Sequence, residues 1–263
     1  MEELYFDTTD SLKLSAIHEQ NGSDICVILC HGVWGNKQES GNFIKLASKL
    51  NNMKIDSFRF DFRGHGSSQG KFVDMTISKE IEDLESVMNY LSVYRYKKII
   101  VLGASFGCNA VSMLDYSKYD NVIGLILWYP AINIQYTDLF TEEQYLQAKQ
   151  NGYVKIWNMS HTKAYDFGLD LIEECYKFKA YEVLENVTLP KVFIHGDKDI
   201  NVGIRANSIE PSKRSPNSKL VIIKNGAHSF SRVDERYVDE GINETIKFIT
   251  SLLGSKEDSY VKD

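Results

Sequence analysis

The chain has 263 residues, 43% of them hydrophobic and 25% charged, which is room for one large α/β domain or two small ones around a real core. A net charge of −6 argues against a nucleic-acid partner, which calls for a basic patch or stripe. No membrane partner is expected either, because the longest apolar stretch, Val122 to Ala131, is about half of what crosses a bilayer.

The start, Met1-Glu2-Glu3-Leu4, lacks the basic and apolar regions of a secretory leader, so a cytoplasmic location is expected. Leu4–Asp7 and Leu12–His18 flank a Thr-Thr-Asp-Ser turn and predict an antiparallel hairpin on one sheet edge. Buried strands are predicted at Ile25–Cys30, Asp56–Phe60, Lys98–Leu102, Val122–Trp128, Lys191–His195 and Lys219–Ile223. They alternate with helical-period segments, the pattern of a mostly parallel sheet with helices on both faces. Ile77, Ile81, Leu84, Met88 and Leu91 recur at helical spacing behind Thr76 as N-cap. Cys108 to Tyr116 continues as a helix with Ala110, Val111 and Leu114 on one side, and Val233, Tyr237, Ile242, Ile246, Ile249 and Leu253 predict a closing helix.

About sixty residues separate Trp128 from Lys191, far more than an ordinary connection. That segment is helix-prone, charged and aromatic (Tyr136, Phe140, Tyr145, Tyr153, Trp157, Tyr165, Phe167). The expected organisation is a core of residues 1–130 and 187–254, a cap inserted at 131–186 over the mouth of the sheet, and a polar tail at 255–263. The four cysteines, Cys26, Cys30, Cys108 and Cys175, are expected as reduced thiols. Cys26 and Cys30, on one extended strand, lie roughly 13 Å apart and cannot bridge.

The chemistry-bearing pattern is Gly103-Ala104-Ser105-Phe106-Gly107, directly after the apolar run Ile99–Leu102. A serine at the tip of a strand-to-helix turn has its hydroxyl thrust outward, and small neighbours on either side let strand and helix close around it. Parallel α/β sheets gather reacting groups beyond the C-terminal ends of their strands. Two further predicted strands end in such groups: His195-Gly196-Asp197-Lys198-Asp199 and, after Ile223, Asn225-Gly226-Ala227-His228. The order Ser, Asp, His at one edge is that of nucleophile, orienting acid and base. A serine hydroxyl is neutral near pH 7 and needs an imidazole to take its proton, and a carboxylate on the far nitrogen fixes the tautomer. Spacing alone leaves Asp197 and Asp199 equally placed as the acid. For a developing oxyanion, the expected donors are the backbone N–H of Phe106 and that of Val33, in the loop Cys30-His31-Gly32-Val33-Trp34-Gly35. His31 is read as shaping that loop, His65 as part of a turn beside the site, and His195 as bonded within its strand terminus; His18 and His161 show no partner. No cofactor or metal is implied by any spacing of His, Cys or carboxylate.

Taken together, His31-Gly32-Val33-Trp34-Gly35, Phe60-Asp61-Phe62-Arg63-Gly64-His65-Gly66-Ser67, the turn at Ser105, His195–Val202 and Gly226-Ala227-His228 resemble the α/β-hydrolase superfamily of serine hydrolases. With Gly70-Lys71-Phe72-Val73-Asp74-Met75-Thr76, the chain is most similar to bacterial cinnamoyl/feruloyl esterases. The resemblance implies an α/β-hydrolase fold with an inserted cap, and it places the acid at Asp199 and an oxyanion N–H at Val33. Cys108, Phe106, Val33 and Gly203 depart from residues common in relatives, and these changes bear on the pocket wall rather than on the reacting groups. The function implied is a carboxylic-ester hydrolase acting on a small-molecule ester, of small aromatic or short acyl type, through an acyl-Ser105 intermediate. An acyl thioesterase or monoacylglycerol lipase shares the chemistry, and a ligand-binding receptor of the same fold is the alternative of another class. The reading leaves room for a homodimer.

Overall fold

A computed structural model describes residues 2–134, 140–158, 160–230 and 234–254. The expected tail Ser255–Asp263, with Tyr136 and Val233, lies outside the described residues. The chain forms strands β1 (Leu4–Asp7), β2 (Lys13–Glu19), β3 (Ile25–Cys30), β4 (Asp56–Phe60), β5 (Lys98–Ala104), β6 (Val122–Trp128), β9 (Lys191–Gly196) and β10 (Ser218–Ile223) of one sheet. Their spatial order is β1-β2-β4-β3-β5-β6-β9-β10. β1–β2, as the turn between them predicts, and β2–β4 are antiparallel, and the pairings β4–β3, β3–β5, β5–β6, β6–β9 and β9–β10 are parallel.

The two-residue period of the strands divides the core. Cys26, Ile28 and Cys30 of β3, with Ile99 and Val101 of β5, face helices α2 (Ile77–Ser92) and α3 (Cys108–Met113). Val27 and Leu29, with Ile100 and Leu102, face the opposite side, against α1 (Asn42–Asn52) and the closing helix Glu235–Leu252. This double coverage is why the strands read as continuous apolar runs, each buried large side chain contributing roughly 1.5–3 kcal/mol. Thr76 caps α2 through its side chain, accepting from Lys79 N. Trp128, fully buried, donates from Nε1 to Thr245 Oγ1 at 2.7 Å and locks the closing helix onto β6. The free thiols of all four cysteines are buried, and burial pushes each of them up, Cys175 to about 12.

Two elements differ from the sequence reading. The helix from Cys108 ends at Met113, and a separate 3₁₀ turn covers Tyr116–Lys118. The segment between β6 and β9 is not helical throughout. After α4 (Glu142–Asn151) it turns at Gly152, with φ +82°, into an antiparallel pair, β7 (Tyr153–Trp157) and β8 (Ala164–Gly168), then α5 (Leu169–Lys177) and α6 (Ala180–Leu184). Tyr-Val-Lys-Ile-Trp alternates by two, with Val154 buried while Tyr153, Lys155 and Trp157 are exposed, and this period outweighs the helical tendency of its surroundings. Phe140, Val154, Phe167, Leu171 and Ile172 of this segment form a third apolar cluster with Phe106 and Met75. That cluster lies over the C-terminal end of β5.

Candidate active site

The turn after β5 is built by exclusion. Ser105 stands at φ +51°, a conformation that costs an L residue about 1 kcal/mol or more and persists only when its surroundings enforce it. A Cβ on Gly103 would lie 2.8 Å from Cys108 Cα, and one on Gly107 only 2.2 Å from His31 O. Only hydrogen fits at either position, so the two glycines let α3 fold back onto β5 and onto the loop after β3. The Ser105 side chain is thereby presented at the rim of the sheet.

Three sequence-predicted groups meet at that rim. His228 Nε2 lies 3.1 Å from Ser105 Oγ, and His228 Nδ1 lies 2.6 Å from Asp199 Oδ2. A carboxylate only accepts, so Nδ1 carries the hydrogen and Nε2 is left to accept from the serine hydroxyl. The loop that carries His228 is pinned by Ala227 N–H donating to Phe230 O at 2.8 Å and by the buried Phe230 ring against Trp128 and Tyr129. The Tyr129 ring meets the His228 imidazole edge-on at 4.9 Å. Of the two candidate acids, the structure turns Asp199 to the imidazole. Asp197 instead accepts Asn225 N–H at 2.6 Å and ties the two loops together.

Burial alone would raise the Asp199 carboxyl. Hydrogen bonds from His195 and His228, the charge of His228 and the Val202 N–H outweigh it and hold the group below the usual carboxylate range. Its Oδ1 accepts Asn201 and Val202 N–H, each at 2.9 Å. Its Oδ2 receives, besides His228, the Nε2 of His195 at 3.0 Å. His195 therefore belongs to the site and not merely to its strand terminus. The signal that could have found it is its place at the end of a parallel strand, on the same edge as Asp199.

The loop after β3 closes the other side. A Cβ on Gly32 would come within 3.1 Å of Ser105 Cβ, so the Val33 backbone follows directly on a contact with the serine. Among the described residues the Val33 N–H donates to no backbone acceptor. His31 holds the loop: Nδ1 donates to Gly32 O at 2.8 Å and Nε2 accepts Phe62 N–H at 3.0 Å, a neutral ring whose basicity burial pushes well down. His65 Nε2 reaches Val33 O at 2.7 Å. Sequence reasoning missed Glu39, which accepts Gly32 N–H at 3.0 Å and the Tyr129 hydroxyl at 3.2 Å. Burial pushes its carboxyl up, against the Gly32 N–H. No motif announces it, since it sits on an irregular turn at φ +43°. His18, which shows no partner in sequence, bonds to Tyr96 OH at 2.7 Å, far from this rim.

Ser105 and His228 open onto a cavity with two lobes that also share Val33 and Trp34. One lobe, of about 270 Å³, is walled by Phe106, Ile134, Phe140, Ile156, Phe167 and Leu171. The other, of about 580 Å³, is walled largely by polar groups, among them Glu39, Asn42, Lys45, Asn158, Ser160 and Glu235. Among the described residues no cluster of His, Cys, Asp and Glu could hold a metal ion, and no helix is long and apolar enough to cross a membrane.

The chain is 31% identical over 110 residues to uncharacterized protein R595 of Acanthamoeba polyphaga mimivirus, a match to 40% of this chain and 36% of that protein, so it spans about a third of that relative. Its fold superposes on Est1E from Butyrivibrio proteoclasticus with bound ferulic acid, at a TM-score of 0.80 and 23% identity over 94% of this chain and 99% of that one. It also superposes on a Paleococcus ferrophilus monoacylglycerol lipase, at 0.73 and 17% identity over 96% and 100%. At such identities the likeness is one of fold. The sequence profile of the family described as serine aminopeptidase, S33 matches residues 22–165, more than half of the chain, and the protein is a member of that family of α/β hydrolases.

Proposed function

We propose that the protein is a carboxylic-ester hydrolase working through an acyl-serine intermediate. The observation that carries this reading is the hydrogen-bonded run Ser105–His228–Asp199, at 3.1 and 2.6 Å, at the junction of the two lobes. Ser105 Oγ attacks the ester carbonyl while His228 Nε2 takes its proton, and Asp199 stabilises the imidazolium that forms. The N–H groups of Val33 and Phe106 receive the oxyanion, where each preorganised donor is worth about 10²–10³ in turnover. His228 then gives its proton to the leaving alcohol and activates the water that frees the acid.

The segment 131–186 is read as a cap over a core of residues 1–130 and 187–254. Its aromatic residues wall the smaller lobe, which suits a small aromatic acyl group of cinnamoyl or feruloyl type, or a short aliphatic one. The polar lobe suits the alcohol half of such an ester. The solved neighbour with bound ferulic acid lends weight to the aromatic choice. A monoacylglycerol lipase is the second reading, favoured by the fold of the lipase neighbour and by a lobe walled with Phe, Ile and Leu.

The deciding experiment is turnover of matched hydroxycinnamate, short-chain and long-chain esters, with amino-acid p-nitroanilides alongside, and a fluorophosphonate to label the serine. Labelling of Ser105 with preference for hydroxycinnamate or short-chain esters is the expected result. Preference for long acyl chains selects the lipase, and preference for p-nitroanilides a peptidase. A folded protein whose Ser105 stays unlabelled rejects the mechanism.

A further inference from the structure

Asp199 has one partner that the proposed mechanism does not use. His195, at the end of β9, has no exposed surface, and its Nε2 shares Asp199 Oδ2 with His228. Its Nδ1 lies 2.7 Å from Ser208 Oγ, which is equally buried. Because the carboxylate can only accept, the ring hydrogen of His195 sits on Nε2, and Nδ1 accepts from the Ser208 hydroxyl. Ser208 comes from a π-helical turn, Arg205–Ile209. This wider turn brings two successive side chains, Asn207 and Ser208, inward together. Asn207 Oδ1 accepts Ile132 and Asn133 N–H at 3.0 and 2.8 Å, anchoring the turn to the loop after β6. The result is an unbroken run of five side chains, Ser208–His195–Asp199–His228–Ser105.

We propose that His195, its tautomer fixed by Ser208, is a positioning residue that holds Asp199 from behind and sets how much of that carboxylate's charge is presented to His228. The inference rests on the reading of Ser105, His228 and Asp199 given above. An oxygen shared between two N–H donors presents less negative charge to each of them. Oδ1 is likewise taken by two backbone N–H groups, so every acceptor direction of the carboxylate is used. Removing the His195 N–H concentrates charge on the His228 side. In such a variant the protonated form of the base is stabilised relative to the parent. The base works only when neutral, and the acid limb of kcat/KM therefore moves up in pH.

Other groups around this run do not replace His195. Glu39 faces His228 from the loop after β3, and the Tyr129 ring packs on the same imidazole from the end of β6. Asp197 is engaged with Asn225 on the neighbouring loop, while Lys198 and Arg205 stand in solvent.

The test is the pH profile of kcat/KM on a short p-nitrophenyl ester for the parent, His195→Phe, His195→Gln and Ser208→Ala, with thermal melts of each. His195→Phe is expected to move the acid limb up by roughly 0.5–1 pH unit. His195→Gln, whose amide nitrogen reaches the place of Nε2, returns the limb toward the parent. Ser208→Ala, which frees the ring to change tautomer, gives part of the shift. Lowered melting temperatures with the limb unmoved in both His195→Phe and Ser208→Ala would overturn the proposal. If His195→Phe does not fold, the Ser208→Ala profile decides in the same two directions. Fluorophosphonate labelling of the parent keeps the two readings apart. An unlabelled parent defeats the hydrolase reading and this inference with it, whereas a labelled parent with an unmoved limb defeats this inference alone.

Discussion

Both ends of the parallel sheet carry a histidine, a hydroxyl and a buried aspartate, and the two sets differ in how they are connected. At the end where β4 and β5 begin, Tyr96 OH donates to Asp56 Oδ2 at 2.8 Å and faces His18 Nε2 at 2.7 Å. The hydroxyl there lies between acid and imidazole, so both of its neighbours close it off. Burial, with the nearby Cys26 and Asp56, pushes the phenol far from ionisation. At the other end the imidazole lies between acid and hydroxyl, and the hydroxyl faces a cavity. The same three group types thus make a structural clamp in one order and, in the mechanism proposed above, a proton relay in the other. What separates them is the strained backbone of Ser105 and the open space beyond it.

That contrast can be broken most directly by removing each hydroxyl. Ser105→Ala is expected to abolish nearly all ester turnover, by about 10⁴-fold or more, while Tyr96→Phe leaves turnover near the parent and lowers unfolding stability by about 1–3 kcal/mol. A comparable loss of activity from both variants would erase the distinction between the two ends. Next in size, Asp199→Asn should cut kcat by about 10³–10⁴, because the amide can present its N–H to His228 and stabilise the wrong tautomer. Asp197→Asn, tied only to the Asn225 backbone, should cost far less in the same assay.

A smaller effect sharpens the role of the turn. Gly107→Ala drives a methyl into the His31 carbonyl, so denaturant melts should show a loss of about 1–3 kcal/mol, with turnover falling as the β3 loop is displaced. The smallest effect is on stability against pH. Burial pushes the basicity of His18, His31 and His65 below the ordinary value of 6.5. Each takes up a proton less readily in the fold than when unfolded, so their contribution is complete above about pH 6.5 and is lost as the pH falls toward their folded values. The melting temperature should therefore decline from pH 7 to pH 5, and His18→Gln, which cannot take the proton, should flatten part of that decline.

The strand layer is legible in the sequence because burial on both faces leaves apolar runs with polar ends. β3, β4 and β6 coincide with their predicted limits for this reason. α1 is not legible. It follows Glu39, Ser40 and Gly41, all at positive φ, and no side chain caps its start. β7 and β8 are hidden because their two-residue period is short and lies among helix-forming residues. At the site, the spacing of Asp197 and Asp199 is uninformative by nature, since two residues of one turn differ only in where their side chains point. Glu39 and His195 act through burial and hydrogen bonding, which arise only when distant loops close over them.

The buried thiols have a practical reach. With Cys26, Cys30, Cys108 and Cys175 all enclosed and reluctant to ionise, the folded chain offers maleimide reagents little thiolate to attack. Ile200, 95% exposed beside Asp199, can then be replaced as Ile200→Cys and tagged with a fluorophore without stripping the native cysteines. Such a tag would report, in real time, how the loop carrying Asp199 responds when candidate esters are added.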